Sequence, residues 1–412
     1  MPVRHGLINF LIRKLLFFVL NLVELNSRSK QSLAYLCPMA GIYLHIPFCK
    51  QACHYCDFHF STSLKYKDEM LQALLKEITL QKDYLAGETI ETIYFGGGTP
   101  SVLAPGEINR LIDAIISLHT VAPNAEITLE ANPDDLDGQK LTGLRATPVN
   151  RFSIGIQSFY DEDLQWMNRV HHAAEAEASV MRAQDAGFEN ITIDLIYGYP
   201  LLSDTKWKHN LDKAFGLRVP HISAYSMTVE PQTALAAFIS KKKQPPMSEQ
   251  QSAGQFTLMT DAMQLNGFEQ YEISNFCKPG HYSRHNSNYW RGVKYLGLGP
   301  SAHSFNGDTR QWNIANNARY MASILQEGKL PAEVEQLTED NQLNEYIMTS
   351  LRTAWGLDTN KLEAIAGGSA GILLKTAAPY FADGRLVQND HIITLTQKGK
   401  LYADNIAAGL FF

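Results

Sequence analysis

The stretch GIYLHIPFCKQACHYCDFHF, residues 41–60, constrains this chain more than any other. It holds three cysteines, Cys49, Cys53 and Cys56, in the spacing C-x3-C-x2-C. The β-prone run Ile42, Tyr43, Leu44 and Ile46 stops at Pro47, which predicts a strand feeding a loop that carries the thiols. Three thiolates on one loop can hold three irons of a cubane cluster and leave the fourth open to a substrate, whereas a site with four protein ligands is closed. Zinc is the alternative and would need a fourth ligand. His45, His54 and His59 are near, but paired C-x2-C blocks are absent. The other two cysteines, Cys37 and Cys277, form no second pair.

A chain of 412 residues suffices for two or three domains and a large core. Charged residues make up 19% and the net charge is −6, which argues against a nucleic-acid partner held by bulk electrostatics. Clustered rather than paired cysteines suit a reducing compartment, and an oxygen-sensitive cluster favours the cytoplasm.

Residues 1–38 differ from the rest. The apolar run 15–23 is shorter than the about 20 residues a bilayer span needs. It resembles a signal-peptide core, but no small-x-small site follows. Met39 as the functional start is the preferred reading of this extension. An interfacial helix giving transient membrane association is the second.

From residue 39 to 231, short β-rich runs (42–46, 92–95, 126–130, 152–156, 192–196 and 222–228) alternate with helical stretches (66–82, 107–118, 134–144, 173–186 and 206–217). This alternation predicts an α/β domain with a mostly parallel sheet, and six units fit a partial (β/α)6 barrel. Ligand groups in such sheets gather at the C-terminal strand ends. Gly97, Gly98 and Thr99 follow the second strand, where glycine lets backbone approach a ligand. Glu130 ends the third strand, where a carboxylate can accept from ribose hydroxyls. Gln157 ends the fourth, Arg169 follows twelve residues later, and Asp194 stands in an otherwise apolar strand. Each of these, taken singly, has an ordinary structural reading.

Residues 232–337 read as a barrel-completing region and carry the second informative stretch, QYEISNFCKPGHYSRHNSNYWRGVKYLGLGPSAHSF, whose His, Tyr and Trp content suits a planar aromatic ligand. The sheet pattern fades here. Residues 338–412 read as helices at 343–354, 359–365 and 372–380, a small hairpin at 386–387 and 392–395, and a final helix at 398–410. Three helices and a hairpin suggest a winged-helix-like α+β module. From residue 341 onward six Lys or Arg face six Asp or Glu, which gives no positive face for DNA.

C-x3-C-x2-C with Tyr55 before the third cysteine resembles the signature of radical S-adenosylmethionine (SAM) proteins. The longer string YLHIPFCKQACHYCDF resembles the oxygen-independent coproporphyrinogen III oxidases and their relatives, the HemW-type heme chaperones, and the resemblance runs from Met39 almost to the end. It implies a [4Fe-4S] cluster on Cys49, Cys53 and Cys56. It further implies SAM held by Tyr43, Tyr55, Gly97, Gly98, Thr99, Glu130, Gln157, Arg169 and Asp194, with Tyr55 beside the adenine. An electron donor would reduce the cluster, and SAM cleavage would give methionine and a 5′-deoxyadenosyl radical.

Two readings follow from the resemblance. His285 to Trp290 fits the HNxxYW pattern of the heme chaperones, which implies heme as cargo, His285 as its ligand, and an acceptor protein. His281 and His303 are weaker candidates. The alternative is the oxidase itself, an enzyme that decarboxylates two propionates. The oxidase pattern carries a further cysteine two residues past the third, and Phe58 stands there in this chain. Both features favour the chaperone.

Overall fold

The computed structural model describes residues 39–412. The expectations for residues 1–38, including Cys37, lie outside the described residues.

Six strands, β1 (Met39–Ile46), β2 (Thr89–Gly97), β3 (Val121–Ala131), β4 (Arg151–Gln157), β5 (Ile191–Tyr197) and β6 (His221–Ser226), are neighbours in sequence order, with β2 to β6 paired parallel. Helices Lys67–Leu80, Pro105–Leu118, Gly138–Arg145, Ala173–Asp185 and Asp204–Gly216 connect them, as the alternation predicts. The predicted helix at 134–144 starts later, because Pro133 to Asp135 form a 3-10 turn first and Asp137 then caps Gly138–Arg145 through Lys140 N. The short helix Asp161–Trp166 was not expected from the periodicity.

The sheet does not fade after residue 231. β7 (Glu269–Glu272) and β8 (Asn275–Cys277) extend it antiparallel beyond β6. At the other edge β9 (Lys294–Leu298) runs parallel to β1, followed by β10 (His303–Phe305), β11 (Thr309–Asn313) and β12 (Ala332–Gln336). These strands hold only 3–5 residues each, too short for a period-two pattern to stand out.

Register explains why this barrel encloses a cavity. On β3 to β6 one face carries Ile127, Leu129, Phe152, Ile154, Ile193, Leu195 and Ile222, all buried. The alternate positions are Glu126, Thr128, Glu130, Arg151, Ser153, Thr192, Asp194, His221 and Ser223. Closed barrels usually fill their interior with bulky branched residues. Here the inner layers are polar, so the axis stays open to a polar ligand.

The C-terminal part has helices Glu339–Leu351, Thr359–Ile365 and Ser369–Ala382, and a sheet ordered β13 (Leu357–Asp358), β15 (Ile392–Leu395), β14 (Leu386–Asn389). It buries its own apolar cluster around Ile347, Leu362 and Ile393. The expected final helix is two pieces, Gln397–Lys400 and Ala403–Ala408, with Gly399 packed against Arg385 backbone. Two-residue β13 was too short to read from sequence. Among the described residues no helix is long and apolar enough to cross a membrane.

Candidate functional site

One cavity of about 570 Å³ runs down the barrel axis from the cysteine loop. All thirteen residues singled out in the sequence line it: the three cysteines, Tyr43, Tyr55, Gly97, Gly98, Thr99, Glu130, Gln157, Arg169, Asp194 and His285. Sequence neighbours place only a few of these together. The rest meet because successive parallel strands deliver their C-terminal ends to one rim.

The cysteine loop is fixed from several sides. Cys49 N donates to Ser61 O at 3.0 Å and His54 N to Met167 O at 3.1 Å. Gln51 Nε2 reaches Asn168 Oδ1 at 2.8 Å, and Lys50 Nζ reaches Asp134 at 2.7 Å. Thr99 Oγ1 donates to Cys49 Sγ at 3.4 Å, and Arg169 Nη1 to Cys53 Sγ at 3.5 Å. Burial pushes the Cys49 thiol up and the Cys56 thiol to about 12. Thiols in such surroundings stay protonated until a bound cation compensates the thiolate. The donor set therefore fits an iron cluster. Among the described residues no three His, Cys, Asp or Glu side chains are drawn tightly together around a single-ion position.

The glycine turn after β2 packs under this loop. Gly98 N donates to Ile46 O at 2.9 Å and Thr99 N to Phe48 O at 2.7 Å. A Cβ on Gly98 would sit 2.6 Å from Phe48 O and 2.9 Å from Ile46 O, both backbone atoms. Gly98→Ala should therefore cost about 1–3 kcal/mol through overpacking. Denaturant titration checks this, and an unchanged midpoint would show that the junction yields freely. Gly97 has φ +106°, with the His45 ring 2.6 Å from where its Cβ would be.

Asn132, which the sequence reading passed over, joins the two halves of the rim. Its Nδ2 donates to Thr99 Oγ1 at 3.3 Å, while its Oδ1 accepts from Arg169 Nη2 at 2.7 Å. The same Nη2 donates to Gly155 O at 2.8 Å. The signal lay in LEANPD, two residues after Glu130. Gln157 has φ +67°, an uncommon conformation for a residue other than glycine, at a bulge between β4 and β5.

Glu130 and Asp194 are the acidic wall. Burial raises Glu130 to about 7; Tyr94 OH, donating at 2.8 Å, opposes this, and the charge of Asp194 adds to it. Burial likewise raises Asp194 to about 6, opposed by Ser153 and Ser223. Both carboxyls would gain from a cationic ligand.

His285 closes the inner end. It opens the helix Arg284–Trp290, whose N-terminus is capped by Glu126: the Arg284 N–H donates to Oε2 at 3.1 Å and the His285 N–H to Oε1 at 3.0 Å. Its Nδ1 lies 2.8 Å from Thr92 Oγ1 and its Nε2 3.0 Å from Tyr289 OH. The ring stacks on Tyr94, with centroids 4.8 Å apart. Burial, with Arg151 nearby, lowers its pKa to about 3, so the ring is neutral. His285 is thus in the cavity wall but offers no free nitrogen edge. An iron could reach Nε2 only after displacing the Tyr289 hydroxyl. Arg151, Ser153 and Tyr225 also line the cavity without having been singled out, since each reads as ordinary strand sequence, while Tyr289 of the HNxxYW pattern joins His285 there.

The chain matches the Radical SAM superfamily over residues 43–214 and the HemN C-terminal domain over residues 337–402. It is 34% identical to the heme chaperone HemW of Bacillus subtilis, over 89% of this chain and 98% of that protein. It is 36% identical to the heme chaperone HemW of Mycobacterium tuberculosis, over 90% of this chain and 94% of that protein. Among solved structures it resembles the coproporphyrinogen III oxidase HemN of Escherichia coli, a radical SAM enzyme, with TM-score 0.78 and 26% identity over 91% of this chain and 90% of that one.

Proposed function

Since the chain belongs to the HemW heme chaperone family of the radical SAM superfamily, we propose that it binds heme and passes it to an acceptor protein, and that its barrel holds a [4Fe-4S] cluster and exchangeable SAM. The observation that carries the barrel half of this reading is the convergence of thirteen singled-out residues on one cavity.

Cys49, Cys53 and Cys56 would hold the cluster. Such a cluster supplies an iron position for the amino and carboxylate groups of SAM and an electron for cleaving its sulfur–carbon bond. The protein's own groups do the rest. Arg169, clamped by Asn132 and the Gly155 carbonyl, presents a fixed cation to a carboxylate. Gly97 and Gly98 let backbone approach the amino group. Glu130 accepts from ribose hydroxyls, and Tyr43 and Tyr55 supply apolar faces. An electron donor must dock for reduction, and an oxygen-sensitive cluster suits the cytoplasm.

SAM carries a net positive charge, and Glu130 and Asp194 have raised pKa values. Both ionise as pH rises through about 6 to 7, so SAM should bind about tenfold more tightly at pH 8 than at pH 6. Equilibrium dialysis with labelled SAM measures this, and a flat profile would remove both carboxyls from the binding set.

The oxidase alternative is tested beside the chaperone reading. The anaerobically reconstituted protein should bind heme and release it to an acceptor, with no decarboxylation of coproporphyrinogen. Robust protoporphyrinogen production with SAM and reductant would overturn the proposal. Phe58, 67% exposed at the cavity mouth, occupies the position where the oxidase pattern has its extra cysteine.

A further inference from the structure

A basic turn stands beside the cysteine loop. Helix Ala234–Ser240 packs on that loop through Leu235 N, which donates to His54 O at 2.8 Å. His54 lies between Cys53 and Cys56, and its ring meets Phe238 edge-on at 5.0 Å between centroids. The helix runs out into Lys241, Lys242 and Lys243. Lys242 N donates to Ile239 O at 2.9 Å and Lys243 N to Phe238 O at 2.8 Å, so the turn is fastened to the residue that touches His54. A seven-residue helix spans about 10 Å, which bounds how far the turn stands from the loop. Pro245 and Pro246 then stiffen the chain that leaves it.

All three lysines are exposed, and among the described residues none of them pairs with a carboxylate. Lys50, Lys67, Lys206, Lys213 and Lys294 each do. The chain as a whole carries a net charge of −6, so most of its surface repels an acidic protein. Three uncompensated cations at one helix end give such a protein a preferred point of approach. Asp57 and Glu230 border the cavity mouth, so the positive field is confined to the far end of the helix and sets the orientation of the encounter. Phe58, two residues past Cys56 and 67% exposed, supplies an apolar contact on the cluster side. An apolar spot edged by charge suits a small, transient interface of the kind redox partners form.

We propose that the turn Lys241 to Lys243 is the docking point of an acidic one-electron carrier protein, which reduces the cluster from beside the cysteine loop. One electron leaves the carrier's flavin or iron–sulfur centre and enters the cluster. The carrier is oxidised, the cluster is reduced, and no bond to this chain forms or breaks. The proposal rests on the cluster reading and deepens it by naming where the donor sits and the charge by which it is recognised. Steering by exposed charge favours fast arrival and easy release, as repeated delivery of single electrons requires.

The test uses the anaerobically reconstituted full chain with a flavodoxin as the acidic carrier. The triple variant Lys241→Glu, Lys242→Glu, Lys243→Glu is compared with Lys208→Glu, Lys375→Glu, Lys398→Glu, which carries the same net charge on exposed positions elsewhere. Calorimetric titration at low salt should show Kd raised more than about tenfold in the first triple and less than about threefold in the second, with the parent's affinity falling as salt is added. Reduction of the cluster by flavodoxin hydroquinone should slow in parallel, while reduction by dithionite stays at the parent's rate. The dithionite rate separates lost docking from a damaged loop. No binding by the parent, equal affinity in parent and turn variant, or equal loss in both triples overturns the proposal. So does loss of sedimentation with phosphatidylserine vesicles in the turn variant at unchanged flavodoxin affinity, which assigns the lysines to a lipid surface. A parent with no cluster for dithionite to reduce overturns the cluster reading as well.

Discussion

Alanine at any one of Cys49, Cys53 or Cys56 should drop bound iron from about four per chain to near zero after anaerobic reconstitution. The three sulfurs line one wall of one cavity, and a cubane needs each of them for one of its irons. Cys277, the other described cysteine, is buried and pairs in register with Glu269 and His221 across the β6–β8–β7 ladder. Two thiolates cannot hold a cube against competing water. The same variants should lose SAM binding, because the iron position that takes its amino and carboxylate groups goes with the cluster. Iron and sulfide assays on each variant check the first point. Near-full iron in any of the three would show that its sulfur is not a ligand.

Glu77→Ala should destabilise the folded chain by about 3–5 kcal/mol. Glu77 is fully buried in the first connecting helix. Its carboxyl accepts from Gly299 N at 2.7 Å, from Asn313 Nδ2 at 2.6 Å and from Tyr320 OH. Alanine leaves all three donors buried with nothing to accept and opens a void among Leu74, Ile78 and Ile324. The network ties that helix to the segment on which His303 is mounted. Burial raises Glu77 from the ordinary 4.5 to about 7, against the three donors. The sign follows from the raised value: the carboxyl binds a proton more tightly folded than unfolded. Its favourable contribution is complete below pH 4.5 and is lost as pH rises through about 7. Chemical denaturation at several pH values should show that slope in the parent and a shallower one in Glu77→Gln. Equal slopes would mean that Glu77 stays ionised throughout.

Much of the barrel could be read from the chain because its six parallel strands are bounded by Pro and Gly and alternate with strongly patterned helices. The inward polar file Glu130, Gln157 and Asp194 was legible for the same reason: the first two break apolar runs at strand ends, and Asp194 breaks one in mid-strand. The edge strands were not legible, since three to five residues carry too little pattern. Asn132 escaped because an asparagine before proline reads as a turn, and its bridging role depends on Thr99 and Arg169, which lie far away in sequence. His285 shows the opposite limit. Its sequence setting suggests a ligand, but only the fold reveals that Thr92 and Tyr289 already occupy both ring nitrogens.

The central claim is that three sulfurs on one loop leave an iron free to bind SAM inside this cavity. Electron paramagnetic resonance of the reduced, reconstituted protein, with and without SAM, tests it most directly. A four-iron signal whose shape changes when SAM is added is the predicted result; no such signal, or one that SAM leaves unaltered, contradicts it.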